Sequence, residues 1–338
     1  VNGHVLERRV AHRAALDHVL ALIADAPWST SLALRGSMSL PAWAGAAARE
    51  PADLDWVVLE DEVRVDALHP YPYVDTVDVV QQWPEAADGA ARYEMWQYEE
   101  FGTDGRRPHL APEGLHWVRA DPQTADLSPP YMDLLDRVRM NPQAARGVLL
   151  VPDDADEDGT WTYAEYDTPG VRLVIPWHAE GLPPGEVRLD FARDELLPEA
   201  PVWTLIPRAD GDPVAVRTAS RELSLAWKLL WMHVDCATEG RAQGKDLYDA
   251  VLLAEAEGTA LSQRLLRKVL CRAPVSAAGD LGADAMTRWQ FDWDGFRAEH
   301  PSVRGSARDW LDRLVRALEP TLFRPGPARS SAAGRSSS

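Results

Sequence analysis

The sequence predicts an α/β core followed by a helical half. Three observations carry this expectation. Short apolar runs bounded by Gly, Pro or Asp recur at 31–34, 54–59, 171–177 and 186–191, which is the signature of strands. Residues 4–25 and 37–48 lie among them as helical segments, the first with an apolar stripe. After a proline-rich stretch at 198–213 the strand pattern stops and 3.6-residue periodicity takes over. These divisions predict a core at 1–213 interrupted by an insertion at about 61–165, a helical C-terminal domain at 214–322, and a disordered tail at 323–338 rich in Ser, Gly and Arg.

In chain order, Val5, Val10, Leu16, Leu20, Leu22 and Ile23 form the apolar stripe of the first helix, which ends at Ala26-Pro27-Trp28. A strand at 31–34 runs into Gly36-Ser37. The helix expected at 37–48 is poor in large side chains, so it can lie close to a sheet. The insertion is rich in Pro, Trp, Tyr and acids. It offers a short helix at 75–82, a helix with Pro at its start at 130–139, and an apolar strand at 147–151. Its histidines, His69, His109 and His116, are too scattered for a metal signature. Strands follow at 160–166, 171–177 and 186–191, the last two joined by EGLPPG, a hairpin signal. Ser220 reads as an N-cap, and Leu223, Ala226, Leu230 and Val234 share one helix face. Ser224, Lys228, Trp231 and Asp235 share another. Further helices are expected from Lys245 and near 259–272, 284–299 and 304–318.

Composition narrows the function. With 46% hydrophobic and 26% charged residues in 338, the chain is globular. No apolar run reaches the length of a membrane span, and the N-terminus lacks an apolar signal region, so no membrane partner is expected. Two cysteines, Cys236 and Cys271, suit neither a disulfide framework nor a metal knuckle and point to a reducing cytoplasm. A net charge of −18 opposes generic nucleic-acid binding, although a local basic patch remains compatible with it. Of 35 basic residues only Lys228, Lys245 and Lys268 are lysines. A lysine kept against such a bias is expected where a compact point charge is needed, as on a phosphate.

The chemistry concentrates at 32–59. Asp53 and Asp55, two apart on a strand entry, point to one face, and paired carboxylates call for a cation between them. Mg²⁺ accepts such oxygens together with substrate phosphates. Gly36-Ser37 ahead of a helix start offers backbone N–H groups and a hydroxyl to the phosphates of a nucleoside triphosphate (NTP). Asp53 alone would read as an ordinary turn acid, and Asp190, on an amphipathic strand, as a solvent-facing one. Likewise Lys228 alone would read as an exposed helix lysine and Asp246 as a helix N-terminal acid.

Together these segments resemble the nucleotidyltransferase superfamily, and most closely its AbiEii/AbiGii toxin-like branch. The shared features are the Gly-Ser turn, Arg49 four residues before Asp53, and Asp-Leu-Asp at 53–55. An apolar-Arg-Leu-Asp segment ends at Asp190. Ala226-Trp227-Lys228-Leu229 is then followed by Lys245-Asp246-Leu247-Tyr248-Asp249. Pro51 stands where the branch has Ser or Thr, and Ala250 where it has Leu. The resemblance implies a polymerase-β-like mixed sheet with Asp190 as third metal ligand or base from a neighbouring antiparallel strand. It implies Lys228 on the triphosphate, Asp246 positioning Lys228 or the acceptor hydroxyl, and Arg49 bracing the motif or a phosphate. It also implies a two-Mg²⁺ enzyme of the EC 2.7.7 type that moves a nucleoside monophosphate from an NTP to RNA, perhaps tRNA. Such an enzyme would serve as a toxin in a type IV toxin–antitoxin or phage-defence pair, with a cognate antitoxin as partner. The alternatives are an aminoglycoside-type transferase, a housekeeping transferase, and a catalytically silent binding protein on the same core.

Overall fold

Helix α1 (Asn2–Ala24) supplies one wall of the core through Ala11, Ala15, Leu16, Val19, Leu20 and Ile23, all buried. These recur at the three- and four-residue steps of one helix face. Val10 is 62% exposed, so it falls outside the stripe read from the sequence. It lies six residues before Leu16, a spacing that places it on another side. The computed structural model describes residues 2–59, 63–67, 115–119, 132–159, 162–163, 168–193, 197–271 and 281–322. The chain falls into two units, 1–58 with 130–338, and 59–129. In the second unit β3 (Val63–Ala67) and β4 (Leu115–Arg119) pair antiparallel. The helix expected at 75–82 and the tail after 322 lie outside the described residues.

The first unit is built on a ten-stranded mixed sheet. Its strands are β1 (Leu32–Arg35), β2 (Leu54–Val58), β5 (Gln143–Ala145), β6 (Val148–Leu150), β7 (Asp156–Asp158), β8 (Thr162–Tyr163), β9 (Thr168–Ala179), β10 (Gly185–Ala192), β11 (Val202–Ile206) and β12 (Val214–Thr218). They run in the order β11-β12-β1-β2-β10-β9-β6-β5, with β7 and β8 paired to β9. Alternation along the central strands divides them cleanly. Leu32 and Leu34, Leu54 and Trp56, Leu173 and Ile175, and Leu189 and Phe191 join the α1 core. Arg35, Asp55, Arg172 and Asp190 alternate with these residues and so point to the opposite face.

Three segments differ from the sequence expectation. The proline-rich stretch at 198–213 does not end the strands, because Val202–Ile206 forms strand β11 against β12. The sheet therefore continues past residue 213. β11 is an edge strand, where flanking prolines interrupt no ladder on both sides. The single helix expected at 284–299 is divided into α7 (Ala283–Met286) and α8 (Trp293–Glu299), with β14 (Phe291–Asp292) between. Asp292 caps α8 by accepting from Gly295 N–H, so the chain restarts a helix there. β14 pairs with β13 (Ala242–Gln243). Between β2 and the sheet's first turn, the helix expected at 37–48 is short: α2 (Leu40–Ala44), flanked by 3₁₀ turns at Gly36–Ser39 and Gly45–Ala47. α3 (Met132–Met140) lies beyond the second unit.

The helices that follow the sheet are α4 (Arg221–Thr238), α5 (Gly244–Glu255), α6 (Gln263–Leu270) and, after α8, α9 (Ala307–Leu322). α5 is held from behind by aromatic packing. Tyr248 lies 4.8 Å from Trp310 and 5.4 Å from Phe296, ring to ring. A Cβ on Gly244 would stand 2.7 Å from Asp292 O and from Phe296 Cβ, so glycine permits the close approach of α5 to β14. No helix among the described residues is long and apolar enough to cross a membrane.

Ser220 caps α4: its Oγ accepts from Leu223 N–H at 3.0 Å and donates to Glu199 at 2.9 Å. Ser220→Ala is expected to lower stability by about 1 kcal/mol in urea denaturation, with an unchanged m-value.

Candidate active site

The sheet brings Asp55 and Asp190 side by side. β2 and β10 are parallel, and the register pairs Asp55 with Asp190 directly. The sequence resemblance implied an antiparallel neighbour; the strand is parallel. The in-register pairing nonetheless places both carboxylates on one face. Cations flank them in the same row. Arg35 is the β1 partner of Asp55, and Arg172 is the β9 partner of Asp190. Arg172 grips Asp190 with two bonds, Nε to Oδ1 at 2.6 Å and a terminal nitrogen to Oδ2 at 2.7 Å. Asp190 is only 3% exposed, so the clamp offsets the cost of burying its charge.

At the end of β1 the chain turns through Gly36 at φ +74°. A Cβ there would stand 2.2 Å from Asp55 Oδ2. Both the backbone angle and the approach of the carboxylate therefore require glycine. Ser37, buried, donates its hydroxyl to Asp53 Oδ1 at 3.3 Å and accepts from Ala52 N–H at 3.4 Å. These bonds are longer than the optimum of about 2.8 Å for O–H···O, so the hydroxyl can turn to another acceptor at little cost. Asp53 itself stands one residue before β2 begins.

The segment between the Gly-Ser turn and Asp53 is tied down from two sides. From α5, Tyr248 donates its hydroxyl to Ala47 O at 2.7 Å, and Asp249 holds Arg49 through paired bonds at 3.0 Å. From α1, Arg13 pairs with Glu50 at 3.5 Å, and His12 Nε2 lies 3.1 Å from Ala52 O. Asp249 is fully buried and also lies 3.2 Å from Lys228 Nζ. Lys228 donates to Asp246 at 2.6 Å. Two cations and two carboxylates thus form one closed, buried network between α4, α5 and the segment before Asp53. Burial alone would lower the Lys228 ammonium, but attraction to Asp246 and then Asp249 outweighs it and raises its pKa. Burial opposes the Arg49 charge too, and Asp249 reverses that. A raised lysine pKa contributes stability below its unfolded value and loses it only as pH rises through the folded value. The Lys228 and Arg49 charges are therefore kept across neutral pH. Trp231 adds a ring face 4.9 Å from Lys228 Nζ, and Arg35 lies 5.4 Å from the ring of Trp227.

A scan against protein-family models matches residues 126–316 to the nucleotidyl transferase AbiEii toxin of type IV toxin–antitoxin systems. The chain belongs to this AbiEii family. No curated protein matches it. The AbiEii match contains Asp190, Lys228 and Asp246 and begins after the Gly36-Ser37 turn and Asp53-Asp55. The sheet joins the two parts, because β1 and β2 lie between β12 and β10, which both fall inside the matched span.

Of the residues singled out in the sequence, Asp55 and Asp190 are paired in register, Gly36 lies against Asp55, and Ser37 bonds Asp53. Arg49, Lys228 and Asp246 meet in the buried network instead. Among the described residues no three His, Cys, Asp or Glu side chains are grouped to hold a metal ion. Asp53 and Asp55 still offer the hard carboxylate oxygens that suit Mg²⁺, which commonly takes one or two protein carboxylates and completes its shell with phosphate and water. Sequence reasoning missed Arg172 and Arg35, whose roles come from cross-strand pairing. It also left Asp249 out of the site, although its i, i+3 spacing from Asp246 marked it as a neighbour.

Asp249→Ala leaves Arg49 and Lys228 facing a single carboxylate in a buried setting. The expected loss is about 3–5 kcal/mol of folding free energy, measured by urea denaturation. A loss under about 1 kcal/mol would mean that the network contributes no more than an exposed ion pair.

Proposed function

We propose that the protein transfers a nucleoside monophosphate from an NTP to an acceptor hydroxyl on RNA, with tRNA as a candidate acceptor. The observation that carries this reading is the in-register Asp55–Asp190 pair beside a glycine turn that leaves no room for a side chain. Family membership supports it independently. In this reading Asp53 and Asp55 hold Mg²⁺, which when bound offsets charge on the attacking and leaving oxygens. Gly36 and Ser37 receive the β- and γ-phosphates on the turn's N–H groups and the Ser37 hydroxyl. The acceptor oxygen attacks the α-phosphorus, its bond to the pyrophosphate oxygen breaks, and pyrophosphate leaves with the electron pair. The hydroxyl proton passes to a carboxylate of the Asp55–Asp190 pair. Arg172 occupies one lone pair on each Asp190 oxygen, so each keeps a second for a metal or a proton.

Lys228 and Asp246 act on this site by position. The Lys228 ammonium is engaged by two carboxylates, and Asp249 passes that order to Arg49, four residues before Asp53. The reading as a type IV toxin places the enzyme in the cytoplasm, with a cognate antitoxin as partner and a phage-defence role.

Incubation of purified protein with Mg²⁺, α-labelled NTPs and total RNA tests the reading. Labelled RNA is expected, with loss on chelation. Asp53→Asn and Asp55→Asn should each lower transfer roughly 100-fold or more at unchanged melting temperature, the scale for removing a charge-stabilising group. Label appearing on an added aminoglycoside instead would reassign the acceptor. No incorporation into either by the wild type would overturn the enzymatic reading.

A further inference from the structure

A cleft of ≈ 380 Å³ opens at the start of β10, lined by Arg8, Arg9, His12, Ala52, Trp177, Gly185, Glu186 and Arg188. Its volume falls in the range of roughly 300–1,000 Å³ typical of ligand clefts. The register explains why the gap exists. β2 begins at Leu54, paired with Leu189, so residues 185–188 of β10 have no β2 residue beside them. Continuing that register by one residue places Asp53 level with Arg188. Ala52, in the cleft wall, is the residue before Asp53, and its carbonyl lies 3.1 Å from His12 Nε2. One rim of the cleft, at Ala52 and Arg188, therefore borders the segment that carries Asp53.

Its charge runs against that of the whole chain. Three arginines face one glutamate in a protein of net charge −18. Glu186 is paired with Arg188 at 2.6 Å. Among the described residues Arg8 and Arg9, both exposed, donate only long bonds to neutral carbonyls, Pro184 O at 3.4 Å and Glu299 O at 3.3 Å. Their positive charge is not cancelled by those contacts. Burial lowers the pKa of His12, so at neutral pH the arginines supply the charge. A cleft lined with one sign of charge focuses the field and concentrates ligands of the other sign. Guanidinium groups match phosphate oxygens in geometry as well as charge. The Trp177 indole, 1% exposed, forms part of the wall, and its ring centroid lies 6.3 Å from that of His12. A Cβ on Gly185 would stand 2.2 Å from that indole, so glycine lets the ring lie flat against the hairpin.

We propose that this cleft binds the backbone phosphates of a single-stranded RNA acceptor end and presents its terminal hydroxyl toward Asp53. The inference rests on the nucleotidyltransferase reading for its direction, and it names the anionic acceptor that the reading requires. Phosphate contacts set register and orientation on a strand without reading its bases. A cationic acceptor such as an aminoglycoside would be repelled by Arg8 and Arg9.

The test is fluorescence anisotropy with a labelled short single-stranded RNA oligonucleotide, without NTP. The proteins are the full-length wild type, the double variant Arg8→Gln/Arg9→Gln, and Arg188→Gln. The double variant should bind RNA about tenfold or more weakly, and the slope of log K against log salt should fall by about 1.4, or about 0.7 per lost phosphate contact. Binding of a fluorescent NTP with Mg²⁺ should be unaltered. Wild-type RNA affinity and slope in a double variant that melts like the wild type would overturn the proposal, as would absence of RNA binding by the wild type. Loss of NTP binding in the same variant would assign the cleft to the triphosphate and also overturn it. Arginine-dependent RNA binding by a wild type that labels no acceptor would keep the cleft and reject the transfer reading alone.

Discussion

The in-register pairing of Asp55 with Asp190 is the constraint on which the site depends. Neighbouring strands lie about 4.8 Å apart, and at an effective dielectric near 20 two like charges at that distance repel by about 3–4 kcal/mol. The fold offsets this with a row of partners set by the same ladder. Arg172 clamps Asp190 from β9, and Arg35 stands beside Asp55 on β1. The apolar alternates of these residues are buried against α1. A one-residue slip of β10 would bury Asp190 in that core and expose Leu189 and Phe191, so packing of the hydrophobic face fixes the carboxylates' position.

The second element of the site is a segment held in place by distant parts of the chain. Residues 45–53 are fastened by Tyr248 and Asp249 of α5 and by His12 and Arg13 of α1. α5 is itself seated by Trp310 and Phe296. The helical half is thus tied to Arg49, four residues before Asp53, through Asp249. This gives physical content to the conjunction of Lys228, Asp246 and Asp249: a buried set of balanced charges is costly to break at any one member.

Much of this was legible in the sequence where the signal is local. The Gly36-Ser37 turn, the Asp53-Asp55 spacing and the Ser220 cap are short-range patterns with short-range causes. Period-two alternation in Glu186–Phe191 set the face of Asp190 but read it as a solvent-facing acid, whereas it is buried; only the family resemblance marked it for the site. The rest depends on who pairs with whom. Parallel pairing of β2 with β10 and the clamp by Arg172 are decided by sheet order. So is the incorporation of Val202–Ile206 as an edge strand between flanking prolines. The sequence marked Lys228 as exceptional among arginines but could not reveal that Asp249 shares its charge. Arg8 and Arg9 read as the polar side of an ordinary amphipathic helix, and only the gap below β2 turns that face into a cleft.

The central claim is that the ends of β1 and β2 form a seat for a divalent cation and a triphosphate. Electron paramagnetic resonance of Mn²⁺ added with a nonhydrolysable NTP tests it most directly. The account predicts that the wild type binds Mn²⁺, and that Asp53→Asn and Asp55→Asn abolish binding while leaving the fold intact. Mn²⁺ binding that survives both substitutions, or that never occurs in the wild type, would contradict it.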